Sequence, residues 1–273
     1  MTTISKDESW QAIDAVRTEV ADLIDTLTPD QRLQQSLCGA WTIRDVGAHL
    51  SMAALASTTF ALKNAVRQGF RFDAIIREST LAWSRGLSDA EVSGRLRTIV
   101  GNRTLAPTTM WRDPLLDALV HAQDIARPLG KSVTPHPEAA ATATDWAWER
   151  TFGFPFFPAR RLRGLRLVAT DTDWARGSGK EVHGPVTSLL LLSTGRRTSY
   201  DDLTGPGADS ARAGAEKIFT TGSFWYGAAA QAAALETIRI LRDTDALAHT
   251  EAMGNRLRQG LDQAAARHGL RLR

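Results

Sequence analysis

The chain has 273 residues, 43% of them hydrophobic and 23% charged, close to the averages of ordinary globular domains. That composition excludes a disordered tail, a collagen-like repeat and a disulfide-built miniprotein. The formal net charge is only +3, carried by 28 arginines and five lysines that are scattered except for Arg160-Arg161-Leu162-Arg163, so no nucleic-acid-binding face with interleaved aromatics is expected.

No apolar run approaches the roughly 18 residues that span a bilayer, Leu189–Leu192 being a short example. The start, Met1-Thr-Thr-Ile-Ser-Lys-Asp-Glu, is acidic where a signal peptide would be basic and then apolar. Cys38 is the only cysteine, which rules out an internal disulfide and fits a reducing compartment. The expectation is a cytoplasmic protein without a membrane or nucleic-acid partner.

In chain order, Trp10, Ile13, Val16, Val20, Leu23, Ile24 and Leu27 recur at three- and four-residue steps and predict one amphipathic helix, ended by Thr28-Pro-Asp. Thr42 is a cap for a second helix carrying Ile43, Val46, Leu50 and Ala53 and running on through Leu62. A third helix is predicted over Phe72–Leu87, and a short one from Ser88 toward Val100. Pro114 suits the first turn of a helix over Leu115–Leu129, which Gly130 terminates. An alanine- and tryptophan-rich helix follows from Pro137 to Phe152. Long amphipathic helices with short links predict a mainly α, up-and-down four-helix bundle over residues 1–152.

Residues 153–208 change character. Gly153-Phe-Pro-Phe-Phe-Pro breaks helix, residues 164–171 alternate as a strand, and Trp174–Val182 is predicted to return as a second strand. A helix over Pro185–Gly195 and a loop at Leu203-Thr-Gly-Pro-Gly complete a small α/β appendix. Residues 211–273 return to helix after a break at Thr220-Thr-Gly-Ser. Two helices are expected there, 224–242 and 245–267, parted near Asp243-Thr-Asp.

The chemistry-bearing residues gather in the bundle. His49 sits mid-helix among apolar neighbours, with Asp45 one turn earlier. Asp117, His121 and Asp124 fall at i, i+4 and i+7, on one helical face. If the two helices face each other, imidazoles and carboxylates converge inside the bundle, a donor set suited to zinc or another first-row divalent ion. Spacing alone leaves open a solvated face or an ion-pair ladder, and for His49 a hydrogen-bonded core histidine.

Trp41-Thr-Ile-Arg-Asp-Val-Gly-Ala-His-Leu and Asp117-Ala-Leu-Val-His-Ala-Gln-Asp-Ile-Ala-Arg-Pro-Leu-Gly resemble the two signature segments of the mycothiol-dependent maleylpyruvate isomerase family, which is similar to DinB-like metal-binding bundles. Gly164-Leu-Arg-Leu-Val-Ala-Thr-Asp-Thr-Asp-Trp, Gly177-Ser-Gly, Gly184-Pro, Gly195-Arg and Leu203-Thr-Gly-Pro-Gly resemble the ending of its actinobacterial members. The likeness runs in order over about residues 8–208. It implies His49, Asp117 and His121 as ligands of a divalent metal such as zinc. Asp117 stands where the isomerases have Glu, one methylene longer, so the ligand sphere contracts or Asp124 joins it, as a fourth ligand or from the second shell. The resemblance further implies mycothiol as a thiol cosubstrate and a small electrophilic substrate, with isomerisation and S-transfer both open. Arg44 and Arg127 are candidates to hold carboxylates, against a reading of each as a surface residue. Cys38, with no His or Lys beside it in sequence, reads as a small packed residue and a poor nucleophile.

The tail points elsewhere. The run from Ile218 through Phe-Trp-Tyr-Gly to Ile238, continued through Met253-Gly-Asn-Arg-Leu, resembles about 55 residues of class III pyridoxal-phosphate aminotransferases of the glutamate-1-semialdehyde aminomutase type. The large sheet domain and the Schiff-base lysine are missing, and Lys217 precedes the loop instead of matching the aldimine position. Pyridoxal phosphate is therefore not expected as a cofactor, and a transaminase is rejected. The apolar face at Phe224–Leu241 needs a partner surface, either the bundle or a second copy of the chain in a homodimer. The Asp117 change and the grafted tail leave a second functional reading open: a non-catalytic binding or regulatory bundle.

Overall fold

A computed structural model of the chain describes residues 4–69, 71–105, 109–149, 161–211 and 243–267. The chain divides into two compact units, Met1–Trp225 and Tyr226–Arg273. The fold is mainly α with one small sheet, as the sequence predicts.

Helix α1 (Lys6–Asp25) starts at a capping box in which Ser5 accepts from the Glu8 N–H and the Glu8 carboxylate accepts from the Ser5 N–H, a cap worth ~1 kcal/mol. Its expected stripe is its buried face: Trp10, Ile13, Val16, Val20 and Ile24 are all enclosed. Thr28 ends nothing by itself; it caps a short helix, α2 (Pro29–Leu33). Thr42 caps α3 (Ile43–Leu55) as expected.

The second helix does not run through to Leu62. Ala56 is extended, and the Ser57 hydroxyl accepts from the Phe60 N–H at 3.1 Å to start α4 (Thr58–Arg67). A serine that satisfies a first-turn N–H makes a new helix start cheap, which outweighs the continuing apolar period. Helices α5 (Phe72–Arg85), α6 (Asp89–Thr98) and α7 (Asp113–Ala126) follow. A single 3-10 turn, Arg127–Leu129, ends at Gly130 with φ 62°, the left-handed stop expected there. Helix α8 (Pro137–Glu149) comes next; the expected break at residues 153–158 lies outside the described residues.

Helices α1, α3, α6 and α7 pack on one another, with α5 against α3 and α8 against α7. Ile13, Val20, Ile43, Val46, Val92, Leu96, Leu115 and Leu119 belong to their common core. Helix α3 lies close against α1 and α6 at Gly47, where a Cβ would stand 2.6 Å from Ile24 Cδ1 and 3.0 Å from Val92 Cγ1. That approach sets α3 deep in the bundle two residues before His49.

In the appendix, β1 (Leu165–Ala169) lies between β2 (Ala175–Gly177), antiparallel to it, and β3 (Lys180–Gly184), parallel to it. The single returning strand expected over Trp174–Val182 is thus two strands on opposite edges of β1. Gly179 makes the switch, with φ 122° and a position where a Cβ would be 2.0 Å from the Gly164 carbonyl oxygen; only glycine fits such a passage. Helix α9 (Val186–Ser193) follows and packs on α8, its Leu189–Leu192 run fully buried. The apolar run of the sequence is therefore the seam between appendix and bundle.

Of the second unit, the helix Ala246–Arg267 is described, close to the expected 245–267. Met253, Leu257 and Leu261 are exposed along it at four-residue steps. The expected helix 224–242 and the resemblance segment from Ile218 to Ile238 lie outside the described residues. Among the described residues no helix is long and apolar enough to cross a membrane.

Candidate metal centre

Helices α3 and α7 face each other in the core, and their mid-helix polar residues meet. His49 Nε2 lies 3.4 Å from Asp117 Oδ1, and His121 Nε2 lies 3.3 Å from the same oxygen. One donor atom from each of the three residues lies within 4.8 Å of the other two. The imidazoles approach edge to face, 4.9 Å between ring centroids, and Trp41 stacks on His49 at 4.8 Å. The tryptophan covers one imidazole face and keeps water from it.

Exposure is uneven across the cluster. The side chains of His49 and His121 are 9% and 12% exposed, whereas Asp117 is 39% exposed, so the carboxylate forms the open side. Desolvation works against its charge, yet the flanking His49 and His121 imidazoles hold the Asp117 carboxyl well below the usual range. His121 is correspondingly held well above an ordinary imidazole: Asp117 outweighs the desolvation that would discharge the ring.

Each imidazole has its other nitrogen engaged. His49 Nδ1 lies 3.0 Å from the Thr80 hydroxyl of α5, a fully buried residue. His121 Nδ1 lies 2.8 Å from Asp124 Oδ2. Asp124 therefore stands on the far side of the His121 ring from Asp117, one place the i+7 spacing could not specify. It is fully buried and receives both Nε and Nη2 of Arg196, at 3.2 and 2.9 Å.

Cys38 joins this second cluster. The loop before α3 is folded back by Ser36, whose hydroxyl donates to the Trp41 carbonyl at 2.7 Å, and is docked on α7 by Leu37 N–H donating to the Asp124 carbonyl at 3.2 Å. That places Cys38 Sγ 3.1 Å from Asp124 Oδ2 and 3.7 Å from His121 Nδ1. No His or Lys adjoins Cys38 in sequence, but tertiary docking of the loop brings His121 beside it. Burial, reinforced by Asp124, pushes the thiol up, so it remains a protonated hydrogen-bond donor and a poor nucleophile. Cys38, His121 and Asp124 also group their donor atoms within 4.8 Å. The Arg196 cation already occupies that carboxylate, which disfavours a metal there.

The remaining candidates have other employment. Asp45 accepts from Thr42 and from the Ser84 hydroxyl; it closes the α3 cap and ties α3 to α5 one turn before His49. Arg44 donates to Asp89 at 2.7 Å and to Ser84 and Leu87, tying α3 to α5 and α6. Arg127 reaches Ser188 at 3.2 Å and Asp202 at 3.0 Å, joining bundle to appendix. Sequence reasoning did not find Thr80 or Arg196. Arg196 stood in the quoted Gly195-Arg pair, but a hydroxyl inside a helix gave no signal for Thr80.

The donor set fits a divalent ion: two neutral-capable imidazoles and one carboxylate, each histidine oriented through its second nitrogen, with an exposed side left for a further ligand.

No family model matches the chain. A stretch of 67 residues is 49% identical to an aminopentol aminotransferase of Sphingopyxis macrogoltabida, covering 24% of this chain and 16% of that protein. The chain thus spans about a sixth of the length of that curated relative. Among solved structures, the mycothiol-dependent maleylpyruvate isomerase is similar at a TM-score of 0.49 and 14% identity, over 76% of this chain and 97% of that one. A histidine-to-alanine mutant of it gives a TM-score of 0.47 over the same shares. These are likenesses, and the chemistry has to be argued from the site itself.

Proposed function

We propose that this chain is a metal-dependent, thiol-dependent enzyme of the isomerase or S-transferase kind, working on a small electrophilic substrate in the reducing cytoplasm. His49, Asp117 and His121 are its ligands, zinc its metal and a low-molecular-weight thiol such as mycothiol its cosubstrate. The observation that carries this reading is the convergence of His49 Nε2 and His121 Nε2 on one Asp117 oxygen, at 3.4 and 3.3 Å, from two helices 68 residues apart in sequence.

When bound, a divalent cation would lower the pKa of a coordinated thiol and so supply a nucleophilic sulfur at neutral pH. The protein's own contribution is orientation and enclosure. With a metal bound, Thr80 would accept the Nδ1 proton of His49, as Asp124 would that of His121, leaving both Nε2 atoms on the Asp117 side free to ligate. Trp41 shuts one side of the centre, and the exposed Asp117 side is the route by which thiol and substrate enter. Asp124, bound to the opposite nitrogen, acts on His121 and not as a fourth ligand.

One observation favours a second reading, a non-catalytic bundle: Asp117 lies within 3.4 Å of both imidazoles and can satisfy them without a metal. Elemental analysis of protein purified without chelators or a histidine tag separates the two. About one zinc-like ion per chain is expected, lost in His49→Ala and in His121→Ala while helical content persists. Titrating mycothiol into the cobalt-substituted protein then perturbs the visible spectrum. Protein that takes up no zinc, nickel, iron or manganese is the non-catalytic bundle.

A further inference from the structure

The appendix sends one side chain into the neighbourhood of the centre. Arg196 follows α9 at the end of the buried Leu189–Leu192 helix and is only 11% exposed. Its Nε donates to Asp124 Oδ1 at 3.2 Å and its Nη2 to Asp124 Oδ2 at 2.9 Å, while Nη1 donates to the Thr194 carbonyl at 3.1 Å. The third bond fixes the plane of the guanidinium, so the fork meets the carboxylate edge-on. Asp124 Oδ2 accepts in addition from His121 Nδ1 at 2.8 Å and from the Cys38 thiol at 3.1 Å. A fully buried carboxylate is costly to ionise unless a cation and hydrogen bonds accompany it. Desolvation here opposes the charge, but Arg196 and His121 hold the Asp124 carboxyl well below its ordinary range.

We propose that Arg196 is a positioning residue of the metal centre: by its two-pronged hold on Asp124 it fixes the His121 ring, so that Nδ1 carries the proton and Nε2 faces Asp117 and His49. The proposal rests on His121 being a ligand, as above. Arginine suits the task because its charge is permanent and its fork is rigid and planar, matching both carboxylate oxygens at once. Were the carboxylate to lose this partner nothing would hold its plane, it would be free to turn away, and the His121 ring would lose the acceptor that sets its tautomer. The appendix thereby acts on the centre across 72 residues of sequence. A role limited to fastening the appendix to the bundle would change stability and leave metal binding alone.

The test measures zinc affinity by chelator competition and the visible spectrum of the cobalt-loaded full-length chain. Arg196→Lys keeps the charge and loses the fork. Zinc binding about 10-fold weaker or more, with shifted cobalt bands and unchanged helical content, is the expected result. Asp124→Asn is expected to weaken binding similarly. Adding Arg196→Met to Asp124→Asn removes both charges together, keeps the interior neutral and is expected to cost no further affinity, because Arg196 acts through Asp124. Wild-type affinity and spectrum in Arg196→Lys, or full additivity in the double variant, would overturn the proposal. If His121→Ala still binds zinc stoichiometrically, the ligand assignment falls and this proposal with it. If His121→Ala loses zinc while Arg196→Lys does not, the assignment stands and only the positioning role is rejected.

Discussion

The Thr80 hydroxyl lies 3.0 Å from His49 Nδ1, an α5-to-α3 contact between two buried residues 31 apart in sequence. For His49 to offer Nε2 toward Asp117, its Nδ1 must carry the proton and Thr80 must accept it. Thr80 thus stands to His49 as Asp124 stands to His121, with a neutral hydroxyl in place of a carboxylate.

Thr80→Val keeps the shape of the side chain and removes the acceptor. Zinc affinity is expected to fall about 10-fold and stability by about 1 kcal/mol, since Nδ1 is left buried without a partner. Thr80→Ser should restore both. Chelator competition and urea unfolding provide the two readings; unchanged affinity in Thr80→Val would show that Trp41 packing alone orients His49.

Asp89 opens α6 and receives Arg44 at 2.7 Å and Arg32 at 3.2 Å. The Arg44 hydrogen bond is the main reason its carboxyl sits below the ordinary range, outweighing desolvation with help from Arg32. A carboxyl depressed in the folded state contributes stability above its unfolded pKa of about 4, and that contribution is lost as pH falls through the lower folded value. Asp89 is 41% exposed, so the pair is screened, and Asp89→Asn should cost only ~0.5–1 kcal/mol at pH 7. The gap to wild type should close below pH 4. Denaturant unfolding at pH 7, 5 and 3 checks this, and a gap that widens toward pH 3 would contradict the sign.

Gly179→Ala should be strongly destabilising, by about 2 kcal/mol or more, since the added Cβ meets the Gly164 carbonyl oxygen and the left-handed backbone disfavours it. Gly94→Ala, in α6 with open space around it and an ordinary helical backbone, should instead stabilise by ~0.5–1 kcal/mol. Thermal melts followed by circular dichroism should move in opposite directions. An unchanged or raised melt in Gly179→Ala would mean that the β2-to-β3 turn tolerates a side chain.

Much of the candidate cluster is legible in the sequence. His49 stood alone and polar in an apolar helix, and the i, i+4 pair of Asp117 and His121 occupied one face of another; both patterns depend only on helix geometry, which sequence carries locally. Asp124 was visible as a candidate but not its side of the ring, because a seven-residue step fixes a face of the helix and not which nitrogen of a neighbouring imidazole it meets. Cys38 reads correctly as a packed, poor nucleophile, but its His121 and Asp124 neighbours are not legible, since a loop folded by Ser36 and docked by Leu37 has no periodic signature. Arg44 and Arg127, open to a ligand-holding role by position, turned out to be engaged by Asp89 and Asp202 on distant elements.

What the sequence determined by itself was therefore local: the helices, their caps at Ser5 and Thr42, the left-handed stop at Gly130 and the apolar faces, all set by bonds and periodicities within a few residues. The tertiary structure alone decided the split of β2 from β3 and the contacts that Thr80 and Arg196 make with the polar cluster. Those depend on which surfaces meet after collapse. A buried charge such as Asp124 can be satisfied by whatever cation the packing delivers, and here packing delivers one from 72 residues away.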